Sequence, residues 1–75
     1  MKFVVCITRA GFGEFSTADL TLGRLYEVLD GPDAHGMLRL RDDSGEDYLY
    51  PAALFRPVEV AAQTAQQLHD VLAPV

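Results

Sequence analysis

The sequence predicts an all-β fold, a small five-stranded barrel followed by one short helix, and three observations carry it. Tyr26, Val28, Leu38, Leu40, Tyr48 and Tyr50 recur at every second position, the period of a strand with one buried face. The runs that hold them are separated by turn chemistry, Gly31-Pro-Asp-Ala-His-Gly36 and Asp43-Ser-Gly45. The last part of the chain then switches to helical spacing.

Residues 2–8 are β-branched and aromatic and read as a first strand, buried on both faces because the apolar run is nearly unbroken. Residues 9–19 read as a loop: Gly11, Gly13 and Ser16 punctuate it, and Phe12 and Phe15 are aromatic pins within it. Strands are expected over 24–30 and 37–42, with the turn cluster 31–36 between them. Asp43-Ser44-Gly45 fits a three-residue hairpin loop with Gly45 in the left-handed position. A fourth strand runs up to Pro51, and Pro51 to Leu54 suits one 3₁₀ turn. Phe55 to Val60 reads as the last strand, and Pro57 places it at a sheet edge. Five short strands with a 3₁₀ turn before the fifth are the layout of an SH3-like barrel, expected over residues 1–60.

Pairing Asp42 with Glu46 sets Leu40 opposite Tyr48 and Leu38 opposite Tyr50. Pairing Asp30 with Gly36 sets Val28 opposite Leu38 and Tyr26 opposite Leu40. Both hairpins then agree on one inner face. On the outer face the same registers predict ion pairs between Glu27 and Arg39 and between Arg41 and Asp47. Ala61, Ala65, Leu68 and Leu72 form one stripe of a tail helix over 61–73. So short a helix is marginal alone in water, so it is expected to dock on the barrel or on a second copy, the latter giving a homodimer. Leu25, Leu29, Met37 and Leu49 on the outer face are the expected dock.

The 75 residues make room for one core, and a net charge of −5 disfavours nucleic acid and anionic membranes as partners. The lone Cys6 cannot form an internal disulfide, which fits a reducing cytosol. The apolar start, Phe3 to Ile7, is shorter than a signal h-region, and no apolar run approaches a membrane span. The expectation is a cytoplasmic protein.

Leu20-Thr-Leu-Gly-Arg-Leu-Tyr-Glu-Val28, Cys6-Ile7, Asp42-Asp-Ser-Gly-Glu-Asp-Tyr-Leu-Tyr-Pro51 and Phe55 together resemble a family of very short bacterial and phage proteins. These share an "LTxGKxYEV" segment, a "DDxGE" turn and a Tyr-Pro before a Phe, and are regarded as SH3-like β-barrels, most without an assigned activity. Arg24 stands where that pattern commonly has Lys, and the tail after Val60 is not part of it. The resemblance implies the fold and brings no catalytic residues.

No residue pattern points to catalysis, a metal or a cofactor. Cys6 sits in an apolar strand with no neighbouring cation and reads as a structural thiol. His35 and His69 lack metal-ligand spacing, although His69 flanks the docking stripe and its protonation is expected to tune docking. Asp42, Asp43, Glu46 and Asp47 lack the order of a calcium loop and read as turn and solvation. Gly11-Phe-Gly13 lacks the rest of a phosphate loop. The register turns Tyr48 and Tyr50 inward, away from any proline-rich ligand.

The sequence therefore predicts a non-catalytic protein-interaction module. Its contact residues are Leu25, Leu29, Met37 and Leu49 on the outer face, or Phe12 and Phe15 in the first loop. An acidic inhibitor or immunity-type protein that blocks a basic site is the alternative, and a nucleic-acid-binding barrel the third reading.

Overall fold

The computed structural model describes residues 2–10 and 17–72. Where β-branched and aromatic residues cluster, five strands form: β1 (Lys2–Cys6), β2 (Leu25–Asp30), β3 (Met37–Arg41), β4 (Asp47–Pro51) and β5 (Phe55–Val58). All pair antiparallel in one sheet of order β4-β3-β2-β1-β5. A 3₁₀ turn, Ala52–Leu54, links β4 to β5, and the helix α1 (Ala62–Leu72) follows. β4 and β5 are the two edges, so the sheet is curled but not closed. Its curl is deep enough that Tyr50 of β4 and Phe55 of β5 meet edge to face, with ring centroids 6.4 Å apart.

The concave face holds the core: Val4, Cys6, Tyr26, Leu38, Leu40, Tyr50 and Phe55, with Leu20 and Leu54 from the connections. Phe3 is also buried, at 2% exposed, although it alternates with Val4 and so lies on the convex face. Both faces of β1 are covered, as its unbroken apolar run implies.

The hairpin between β3 and β4 has the expected register, with Leu40 opposite Tyr48, Leu38 opposite Tyr50 and Arg41 opposite Asp47. Its loop closes through Gly45 N–H to Asp42 C=O at 3.0 Å, and Gly45 adopts a φ of 85°. That region is costly for any residue with a Cβ.

The hairpin between β2 and β3 is shifted. Val28 stands opposite Leu40 rather than Leu38, and a bulge follows before Asp30 meets Arg39. The cause is Asp33, whose carboxylate accepts the N–H groups of His35 (2.8 Å) and Met37 (3.0 Å), while its own N–H bonds Met37 C=O at 2.9 Å. This turn closes on Asp33 and Met37, not on Asp30 and Gly36. At Val28 the shift is two residues, and strand faces repeat every two, so Val28 and Leu40 stay on the concave side.

The shift parts Glu27 from Arg39, while Arg41 and Asp47 keep their register without forming the expected ion pair. Arg39 pairs with Asp47, Nη1 to Oδ2 at 3.0 Å, which replaces both Glu27–Arg39 and Arg41–Asp47. Glu27 instead meets the tail helix. Tyr48 has the expected parity but is 49% exposed. It sits beside the hairpin tip on an edge strand, and its hydroxyl donates to Glu46 at 2.7 Å.

The Ala61 C=O accepts the Ala65 N–H at 2.8 Å and starts α1. Ala65 is buried, and Leu68, His69 and Leu72 are half-buried, the i, i+3, i+4, i+7 stripe of a docked helix. Its contact is with β2 of the same chain. Among the described residues no helix is long and apolar enough to cross a membrane.

Candidate functional site

The concave face has two ends of opposite character. At one, the loop entering β2 meets the β3–β4 hairpin tip. Tyr26 Oη accepts the Thr21 N–H at 2.7 Å and donates to Asp43 Oδ1 at 2.7 Å. Asp43 also accepts from Thr21 Oγ1 at 2.7 Å and pairs with Arg24. The Arg24 guanidinium lies 5.1 Å from the centre of the Tyr26 ring. Beside this group, Asp42 is 3% exposed and accepts from the Tyr50 hydroxyl at 2.6 Å and from the Ser44 N–H at 2.9 Å. Among the described residues every buried side-chain polar atom has a partner. The result is a polar clasp that seals this end.

The clasp shows in proton affinities. Burial works against an ionised Asp43, but the hydrogen bonds from Tyr26 and Thr21 and the Arg24 charge outweigh it and hold its carboxyl below the usual range. Burial, and then the Asp42 carboxylate, push Tyr50 far up; burial and Asp43 push Tyr26 up. Burial likewise raises Cys6, which leaves an inert thiol.

The other end is open. Between β5 and the β2–β3 loop lies a cleft of about 670 Å³, lined by Val28, Leu38, Ala52, Phe55, Pro57 and Val58 among others. Lys2 and Glu59 are the charged residues at its wall. Gly31 belongs to this wall, where a Cβ would come within 2.6 Å of the Met37 carbonyl oxygen. No side chain but hydrogen fits there.

The edge of β5 beside the cleft is poor in donors. Cys6 N–H bonds Arg24 C=O and Ile7 N–H bonds Leu54 C=O, so odd-numbered residues of β1 direct their groups to β5. Arg56 and Val58, opposite Val5 and Phe3, therefore turn theirs to β1. Phe55 and Pro57 face outward; the Phe55 N–H is taken by Ala52 C=O, and proline has none.

The outer-face residues expected as a contact surface differ in setting and exposure. Met37 and Leu49 share a shallow depression of about 170 Å³ with Asp30, Asp33 and Arg39. Leu29 and Leu49 are 39% and 41% exposed, and Leu25 is half-buried on the strand that α1 covers. Phe12 and Phe15 lie outside the described residues. Sequence reasoning missed the cleft because each lining residue reads as ordinary core or turn; only Pro32 and Pro57, apolar yet exposed, mark it. No group of metal-binding side chains occurs among the described residues.

No protein-family model, curated protein or solved structure matches this chain.

Proposed function

We propose that the chain is an SH3-like barrel acting as a non-catalytic protein-interaction module, which takes an apolar side chain of a partner polypeptide into the cleft between β5 and the β2–β3 loop. The open apolar cleft on an otherwise sealed core carries this reading. Its volume lies in the range of ligand pockets, roughly 300–1,000 Å³. Strand addition at β5 is disfavoured, because a new strand needs donors that Phe55 and Pro57 do not offer. Recognition would rest on side-chain insertion, with weak dependence on salt. The alternative of an acidic blocking face is the poorer fit, since Asp42 and Asp43 spend their oxygens inside the clasp.

Selection of random linear peptides on the immobilised protein tests the reading. Selected peptides should carry a bulky apolar residue, and Val58→Glu should weaken them by tenfold or more, as loss of a buried anchor does at about 2 kcal/mol. Equal affinity for Val58→Glu, in a variant with an unchanged backbone spectrum, would sink it.

A further inference from the structure

Glu27 is the buried charged side chain of β2, with its residue 8% exposed, and the hydrogen-bond partner it finds belongs to the tail helix: His69 Nδ1 lies 2.6 Å from Glu27 Oε1. It stands opposite Phe3 on the convex face, where α1 meets β2. We infer that this contact is a pH-responsive latch, in which the protonated His69 imidazole holds α1 on the sheet and its deprotonation loosens the helix.

A carboxylate withdrawn from water needs a charged or strongly donating partner. An imidazolium meets that need better than a neutral ring, because a charge-assisted hydrogen bond is about twice as strong as a neutral one. The contact to the buried carboxylate is therefore the stronger one while the ring carries its charge. The sign follows: α1 is held most firmly at low pH and loosens as the imidazole loses its charge.

The surroundings leave the imidazole as the group that changes. Arg41 of β3 is across from Glu27 in the register set by Val28 and Leu40, and Arg56 of β5 is across from Val5 on the same face. From α1 itself comes Asp70, which accepts from Gln66 Nε2 at 3.1 Å. Of these side-chain types only imidazole ordinarily titrates between pH 5.5 and 8. The rest of the helix interface is thin, with Ala65 its one fully buried residue, so a single polar contact weighs heavily in whether α1 stays down. Release would uncover the half-buried Leu25 and Leu68, so the latch controls a second apolar surface apart from the cleft.

Amide hydrogen-exchange protection factors of α1 measured at pH 5.5 and pH 8, with β2 and β3 amides as internal reference, decide the matter. The wild-type protein should lose roughly tenfold of its α1 protection at the higher pH while the strands keep theirs. His69→Gln, which retains an N–H donor but no titrating ring, should show equal protection at both values. Equal wild-type protection at the two pH values, or the same loss in His69→Gln as in the wild type, would overturn the latch.

Discussion

The two ends of the concave face belong to one sheet, yet one is closed by hydrogen bonds and the other is left apolar and open. At the clasp, tyrosines and aspartates from elements far apart in sequence satisfy one another: Tyr26 with Asp43, Tyr50 with Asp42. At the cleft, Val28, Leu38, Phe55 and Pro57 converge without polar groups among them. The hydrogen-bonded end secures the sheet, and binding is the role proposed for the opposite end. Polar networks are directional and fix the hairpin tip against the incoming loop. Apolar lining is non-directional and tolerates a ligand without leaving unpaired groups behind.

Substitution should separate the ends. The largest effect is expected from Asp42→Ala, which leaves the Tyr50 hydroxyl and the Ser44 N–H without their acceptor; urea unfolding should show a loss of about 2–4 kcal/mol. A next, smaller effect is the pH dependence of the clasp. Asp43 binds its proton more weakly folded than unfolded, so its contribution is present above about pH 4 and is lost as pH falls through its depressed folded value. Asp43→Asn should flatten the acid limb of the melting curve.

Tyr26 and Tyr50 act in the opposite sense. Their folded values are raised, so their contribution is complete below about pH 10 and declines as pH rises beyond it. Tyrosinate absorbance during an alkaline titration should therefore rise with unfolding rather than ahead of it for these two rings. The smallest effect belongs to the cleft: Val58→Ser removes half-buried apolar surface at a rim, and thermal melts should register less than about 1 kcal/mol. A cleft variant as damaging as Asp42→Ala would erase the distinction between the two ends.

The features legible in the sequence were those set by short-range chemistry. Asp43-Ser44-Gly45 admits one loop length, so the β3–β4 register followed from it directly. Residues 31–36 hold two glycines and a proline and admit several closures; the choice was made by Asp33 accepting the Met37 N–H, which no spacing rule reports. Alternation told which side Tyr48 faces but not whether anything lies over an edge strand. The α1 stripe was legible, whereas the partner of Glu27 was not, because that residue had a nearer cationic candidate in Arg39. The clasp was hidden for the same reason: Asp43 looks like a solvated turn residue until Thr21, Arg24 and Tyr26 are folded against it.

The central claim is that the open end of the concave face, and not the convex face, receives the partner. Methyl chemical-shift mapping with a peptide selected on the protein tests it most directly. The account predicts the largest shifts at Val28, Leu38 and Val58, with Leu29 and Leu49 unmoved. Shifts centred on Leu29, Met37 and Leu49 while the cleft methyls stay still would contradict it.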